Sequence, residues 1–426
     1  MTWRPTTKQM LVGVWLALAA AQTMRVVVTS SLASGDGIYH FAHLHSIVVD
    51  RDLDPVNEIR YFREQARSPL TGQPKIGDRT TRNPATGEVI NKYPIGLALL
   101  TLPAYVAVYG VSHGLAGVGV AVDVSGYGWT YQYASGLLIA AYAVLGLWCC
   151  QRVTTIVGVT SDDGWWATLL AAGATPWLFY ATLEPFFSHV LSASCAALLV
   201  WRWLRARSQD GLVPWFVTGL VAGVAAAVRY QDAALLLIPG LDLVTTRLRT
   251  PRAMLTRGLA VGAGALTGVL PQLAVNDYLF GNPFTTGYFG EGFPHWRSPW
   301  LLYTLLSADV GLVRWAPIVA LGIAGLVIGA RRGWPHARIG LAFIAVQLYM
   351  VSSWFFLSQG HTFGNRMMVN CTVFVAVGLA ALLTATGHRR RLRATIQAVG
   401  VLLVGANLAL IWLWSRGAIG PLGRLG

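Results

Sequence analysis

Apolar runs, most of about 18 residues or more, recur along the whole 426-residue chain, and each such run is long enough to cross a bilayer as a helix. They lie at 11–28, 94–112, 129–150, 165–182, 187–204, 212–228, 233–246, 257–275, 312–330, 337–357, 367–386 and 394–414. A helix satisfies its own backbone in lipid, and these runs are continuous where a barrel strand would alternate. The chain therefore reads as an all-α polytopic membrane protein, a bundle of about 11–13 transmembrane helices. Only 12% of the residues are charged and 54% are hydrophobic, about half the charge of a soluble domain. No small-residue cleavage site follows 11–28, so this run reads as a retained first span. No internal repeat or linker divides the sequence, which predicts one membrane domain over 1–426.

The net charge of +14 raises the question of nucleic acid. Its distribution answers it: arginines cluster in short connections between apolar runs, the positive-inside pattern, and no nucleic-acid partner is expected. Arg4 and Lys8 precede the first run and place the N-terminus inside. Four clusters follow: Arg202, Arg205 and Arg207; Arg247, Arg249, Arg252 and Arg257; Arg331, Arg332 and Arg338; Arg389, Arg390, Arg391 and Arg393. With these inside, 183–188, 229–232, 276–311, 358–366 and the C-terminus lie outside. Residues 31–92 form a long first extracytoplasmic loop and 276–311 a second. Parity then requires that one early run not cross by itself. The segment 94–112, which opens at Tyr93-Pro94 and ends in the Gly-rich stretch 114–128, is that run, re-entrant or laid against the outer face.

Cys149, Cys150, Cys195 and Cys371 all lie in apolar runs without CxxC spacing and read as core residues, with no disulfide framework and no thiolate metal site.

This topology gathers the unusual polar residues on the outer side. Asp36 lies in Ser34-Gly35-Asp36-Gly37-Ile38-Tyr39-His40, just past the first span. It is either an N-cap or a catalytic base. Apolar residues at 38, 41, 44 and 48 predict an amphipathic helix too short to span, lying in the interface. His40, His43 and His45 do not share one helical face well, and read as solvated or interfacial rather than metal-bound. Asp50, Asp52 and Asp54 alternate after that helix, as a solvated turn or as oxygen ligands for a divalent cation. Arg229 and Arg366 border spans on the outer side, against the charge trend. Each is a snorkelling arginine or, with Lys92, part of an anion pocket. Glu184 precedes Pro185, and His189 falls a turn into the next span, as a core histidine or a site residue. His361 leads into the span that follows Arg366.

In this order the pieces resemble the GT-C superfamily of membrane glycosyltransferases, especially bacterial relatives of protein O-mannosyltransferases and of the lipid A aminoarabinose transferase. Gly35-Asp36-Gly37-Ile38-Tyr39 matches the acid and aromatic after the first span, and Asp50-Arg51-Asp52-Leu53-Asp54 the acidic turn. Lys92-Tyr93-Pro94-Ile95-Gly96 is similar to Lys-Tyr-Pro-Pro-Gly, Glu184-Pro185 with Ser188-His189 to Glu-Pro-x-x-Ser-His, and Val228-Arg229-Tyr230-Gln231-Asp232 to Val-Arg-Pro-Gln-Asn. Gly311 to Pro317 resembles Gly-Leu-Phe-x-x-x-Pro, and Phe363-Gly364-Asn365-Arg366 resembles Phe-Gly-Pro-Arg. Tyr230, Asp232, Asn365 and Arg314 depart from the pattern, and no large soluble C-terminal domain is expected, unlike oligosaccharyltransferase-like relatives.

The resemblance implies a GT-C-like bundle whose first extracytoplasmic loop carries interfacial helices, in the inner (plasma) membrane with its active site on the extracytoplasmic side. It implies a polyprenyl-phosphate-linked sugar as donor, no tightly bound cofactor, and an envelope glycan, lipid or protein hydroxyl as acceptor. Asp36 would be the general base of an inverting transfer, and Arg366, Arg229 and Lys92 would hold the donor phosphate. Glu184, His189, Tyr39, Tyr93, Gln231, Asp232 and His361 would bind acceptor or support these groups. A divalent metal at Asp50, Asp52 and Asp54 stays open. The alternatives are a transporter or flippase for lipid-linked sugars, or a non-catalytic assembly partner.

Overall fold

Helices start and stop in this chain where the sequence supplies caps and breakers. A computed structural model describes residues 6–65, 80–245, 251–360 and 362–419; His361, Arg4, Arg247 and Arg249 lie outside the described residues. Helix α1 (Thr7–Thr29) opens on a capping box, the Thr6 hydroxyl accepting from Gln9 N while the Gln9 side chain accepts from Thr6 N. Helix α2 (Asp36–His45) runs on into a π-helical turn, Ser46–Asp50, and α3 (Val56–Gln65) is started by Asp54, which accepts from Val56 N. Then come α4 (Gly96–Gly117), α5 (Trp129–Ile156) and α6 (Ser161–Gly173), the last capped by Thr160. Pro176 separates α6 from the short α7 (Trp177–Thr182), because proline cannot donate to the preceding turn.

Helices α8 (His189–Arg207) and α9 (Val213–Val228) lead to a 3₁₀ segment, Tyr230–Leu236, and α10 (Leu237–Thr245). The long α11 (Pro251–Phe280) is followed by α12 (Leu301–Leu306) and α13 (Leu312–Trp315). After Pro317 come α14 (Ile318–Arg331), α15 (Pro335–Ser353), a second 3₁₀ segment at Arg366–Cys371, α16 (Thr372–Ala385) and α17 (Arg390–Ser415).

Among the described residues there is no strand, only an isolated bridge between Arg82 and Val89. The fold is therefore the all-helical, polytopic one that the apolar runs predict. Among the described residues, six segments are long and apolar enough to cross a membrane: α1, α4, α5, α11, Arg366–Ala385 and α17. The other runs form shorter helices, are broken by Pro176 or Pro317, or, as in the 19-residue α8 and α15, are less apolar.

Small residues let the helices approach closely. A Cβ on Gly219 of α9 would lie 2.0 Å from Val261 O of α11, and one on Gly264 of α11 would lie 2.0 Å from Phe216 O in return. Between α14 and α16, a Cβ on Gly325 would come within 1.8 Å of Gly378 O.

The two ends of the bundle differ in charge. Arg207 at the end of α8 bridges Asp242 of α10 at 3.1 Å, and Arg393 at the start of α17 bridges Asp163 at the start of α6 at 2.6 Å. At the opposite end lie Asp36, Glu184, His189, Arg229 and Arg366. Helix α4 starts at this second end. A Cβ on its first residue, Gly96, would meet the Ala227 carbonyl carbon, at the end of α9, at 2.4 Å. Its Tyr105 hydroxyl donates to Gly126 O, in the loop before α5, and the first turn of α5 is tied through Gln132 to Leu32 and Ala33. So α4 has the length of a span and packs along α5, the Tyr142 hydroxyl donating to Leu100 O at 3.1 Å.

One sequence expectation needs correction. The helix that carries the histidines does not lie open at an interface: Gly37 through His45 are all buried. His40 and His43 meet the carbonyls of Pro94 and Tyr93 at 3.2 and 3.0 Å, and His45 meets Ser125 O at 3.0 Å. The segments before α4 and α5 cover both faces of α2, so the histidines are core residues rather than solvated ones.

Candidate active site

The glycines on either side of Asp36 are dictated by packing. Gly35 has φ +48°, in the left-handed region, and a Cβ there would meet Phe187 at 3.2 Å; a Cβ on Gly37 would lie 2.8 Å from Phe186 Cβ. The turn at 34–37 is thus seated on the turn Glu184–His189. Gly35, not Asp36, is the N-cap residue of α2, and Asp36 is its first helical residue. Its carboxylate does not cap. One oxygen accepts from the Tyr93 hydroxyl at 2.5 Å and the other from Arg366 at 2.7 Å.

That carboxylate faces a cavity of about 580 Å³. Lys92, Tyr93, His189, Arg229, Gln231 and Arg366 line it with Asp36, and Phe187, Tyr288, Phe293, Trp354 and Phe356 supply aromatic wall. Arg366 also lies over the Phe187 ring, 5.5 Å from its centre. Lys92 is ion-paired with Glu291 and stands 4.8 Å from the centre of the Tyr288 ring. Arg229 contacts only neutral partners by hydrogen bond: His189, and Gln231 Oε1 at 2.9 Å. Among the described residues no carboxylate lies within ion-pair distance of Arg229. The wall carries three cations (Lys92, Arg229, Arg366) against two carboxylates (Asp36, Glu291), an excess of one positive charge with the histidines neutral. His40, behind Asp36, is held neutral: burial and then the neighbouring His43 push it down to about 3. Burial raises the Tyr288 phenol to about 12.

The other residues singled out by sequence stand around the cavity rather than in its wall. Glu184 binds Arg25 at 2.9 Å and the Ser34 hydroxyl, bracing the turn beneath Asp36; burial pushes its carboxyl up, against the opposing charge of Arg25. Tyr39 stacks on Tyr93 at 5.1 Å and holds that ring in place. Asp232 is fully buried and accepts from Asn370 at 2.8 Å, away from the cavity. Of Asp50, Asp52 and Asp54, only Asp50 joins a cluster of potential ligands. Asp52 accepts from Asp54 N, and Asp54 starts α3 and bridges Arg82 at 3.2 Å.

Sequence reasoning missed Glu291, Tyr288 and Arg25. The first two lie in the aromatic-rich segment after α11, where an acid among aromatics was the available signal; Arg25 was hidden inside the first span.

No protein-family model matches the chain, and no curated protein matches its sequence. Among solved structures, the archaeal oligosaccharyltransferase AglB from Archaeoglobus fulgidus, in complex with an inhibitory peptide and a dolichol-phosphate, is similar at 12% identity and a TM-score of 0.48. The likeness covers 95% of this chain and 54% of that one, so the chain spans about half the length of the structure it matches.

Proposed function

We propose that the protein is a glycosyltransferase of the GT-C type, which moves a hexose or pentose from a polyprenyl-phosphate donor to a hydroxyl of an envelope glycan, lipid or protein. The observation that carries this reading is the cavity wall, on which a carboxylate stands beside a cation, Arg229, that has no carboxylate within ion-pair distance among the described residues. A polyprenyl-phosphate sugar is a phosphodiester with one negative charge, which matches the excess of one positive charge around the cavity. Arg229 and Lys92 offer donors to its phosphate oxygens, and arginine does so in a bidentate fork. Beside the cavity, sharing Met350 with its wall, an apolar groove of about 550 Å³ runs along Leu237, Leu241 and Val244. It suits a prenyl chain. The arginine-rich end of the bundle faces the cytoplasm on this reading, which puts the cavity on the extracytoplasmic side of the inner membrane.

Asp36 acts as general base. It takes the proton of the acceptor hydroxyl while that oxygen bonds to the anomeric carbon. The bond from that carbon to the phosphate oxygen breaks, and its electron pair leaves with the lipid phosphate, whose charge the cations stabilise. Attack and departure on opposite faces invert the anomeric centre. Tyr93 and Arg366 hold the two carboxylate oxygens in place before the acceptor arrives.

The test is Asp36→Asn in the purified, reconstituted protein with a labelled polyprenyl-phosphate sugar. Transfer falls by about 10²–10⁴-fold, the usual size of general-base assistance, while donor affinity stays within about twofold. Near-normal transfer would remove Asp36 from the chemistry and favour a carrier of the lipid-linked sugar, which needs no base.

A further inference from the structure

Three potential metal ligands converge at the far end of α2, outside the cavity. His45 Nδ1 lies 3.0 Å from Asp50 Oδ2 and 3.0 Å from Glu58 Oε1, and the ligand atoms of the three residues are all within 4.8 Å of one another. The other ring nitrogen of His45 is 3.0 Å from the Ser125 carbonyl, which can only accept. That contact puts the ring proton on Nε2 and turns the Nδ1 lone pair toward two carboxylates. Metal-binding histidines are oriented in this way, with the far nitrogen donating to a backbone carbonyl. The Tyr127 ring stacks on the imidazole at 3.8 Å and fixes its plane.

The acceptors outnumber the donors. Glu58 Oε1 takes the Ser46 hydroxyl at 2.7 Å and Asp50 takes Asn57 Nδ2 at 2.7 Å. Glu58 is fully buried, and its Oε2 has no hydrogen-bond partner among the described residues. His45 is the only basic side chain bridged to either carboxylate among the described residues. An orphaned carboxylate oxygen in a sealed site is costly and needs a partner.

We propose that His45, Asp50 and Glu58 bind one divalent cation, and that the donor set of one imidazole and two carboxylates selects Zn²⁺. Calcium and magnesium prefer oxygen alone, whereas zinc takes nitrogen and carboxylate together at about 2.0–2.2 Å. Neighbouring ligands on a tetrahedral zinc stand about 3.4 Å apart at such bond lengths, so the two 3.0 Å spacings need to open by a few tenths of an ångström and the Asp50–Glu58 spacing, within 4.8 Å, to close toward the same value. A solvent water takes the fourth position. Asp50, with its side chain 25% exposed, is the way in. The site sits about 15 Å from Asp36, by the rise of the ten-residue helix. It lies outside the wall of the Asp36 cavity, so the ion is structural: it ties the π-helical turn at the end of α2 to α3.

The experiment uses the full chain, free of any affinity tag, in detergent. After dialysis against a chelator, the protein is exposed to a small excess of Zn²⁺, passed through a desalting column, and its metal counted by mass spectrometry, with the thermal midpoint read in parallel. One zinc per chain and a rise of a few degrees are expected. Asp50→Asn, at the exposed ligand where folding is least at risk, loses both the stoichiometric zinc and the rise; Glu58→Gln loses both as well. Less than a tenth of a zinc per chain, or an equal zinc content in wild type and Asp50→Asn, overturns the proposal. The cluster is then an imidazolium held between two carboxylates.

Discussion

The two ends of α2 carry the same chemistry in opposite settings. At its start, Asp36 opens onto a cavity with its side chain 29% exposed, and an arginine at 2.7 Å and a tyrosine at 2.5 Å hold its two oxygens. At its end, two carboxylates share one imidazole in a pocket sealed on the Glu58 side. A carboxylate that is compensated and reachable stays ionised and open to a group that enters the cavity. A cluster that is sealed and undercompensated cannot be reached by a sugar, and its charge has to be met by an ion or a proton. Position on one helix thus separates an open, paired carboxylate from a closed cluster over ten residues.

The strongest way to break this contrast is to remove the cation at the open end. Arg366→Ala leaves Asp36 facing the cavity without its ion pair and takes one of three cations from the wall. Loss of a buried, charge-assisted contact of this kind costs about 2–5 kcal/mol. Donor affinity, read by titrating a polyprenyl-phosphate sugar into the reconstituted protein, is expected to fall at least about thirtyfold, by 1.4 kcal/mol per decade. Zinc content at the other end stays unchanged. An unaltered donor affinity would show that Arg366 takes no part in recognising the phosphate and serves Asp36 alone.

A weaker and different handle is pH. His40 lies between the two ends and is held at about 3, chiefly by burial, against an ordinary 6.5. The unfolded chain therefore binds a proton below pH 6.5 that the folded chain refuses. Stability rises with pH where the unfolded state binds more protons, so the contribution of a neutral His40 is complete above about 6.5 and is lost as pH falls toward 3. Between pH 7 and pH 5 this amounts to about 2 kcal/mol. The thermal midpoint in detergent should drop over that interval, and His40→Asn, which keeps a donor near Pro94 O, should flatten the drop. A midpoint that falls equally in both proteins would assign the acid sensitivity to other groups.

How far the sequence foretold these settings depends on the range of the contacts. The helices follow local rules, and α5 begins at Trp129, α8 at His189 and α15 at Pro335, within two residues of the apolar runs that announced them. Asp36, Tyr93, Arg229 and Arg366 share one cavity although they are up to 330 residues apart; only the alternation of arginine-rich connections placed them at one end beforehand. The burial of His40, His43 and His45 was not legible, because it is imposed by segments 50 and 80 residues away that roof the helix. The partner of Lys92 was equally hidden, since Glu291 approaches from 199 residues downstream. Aspartates two apart looked like one ligand set, yet backbone turns claimed Asp52 and Asp54 and left Asp50 to a histidine and a glutamate from the neighbouring helices.

The smallest expected effect tests whether the open end is held for chemistry or merely tolerated. Tyr93 donates to Asp36 at 2.5 Å, stacks on Tyr39 at 5.1 Å, and offers its carbonyl to His43 at 3.0 Å. Tyr93→Phe removes only the hydroxyl and keeps the stack and the backbone contact. The fold should keep its thermal midpoint within about a degree, because the lost hydrogen bond ends on a partly exposed carboxylate that still has Arg366. If the hydroxyl orients Asp36 for proton transfer, kcat falls by about 5–30-fold, the equivalent of roughly 1–2 kcal/mol, and donor affinity does not change. The same loss appearing in KM with kcat intact would place Tyr93 in donor binding instead. No loss in either constant would mean that Arg366 alone positions the carboxylate, and that the cavity needs one fixed oxygen of Asp36 rather than two.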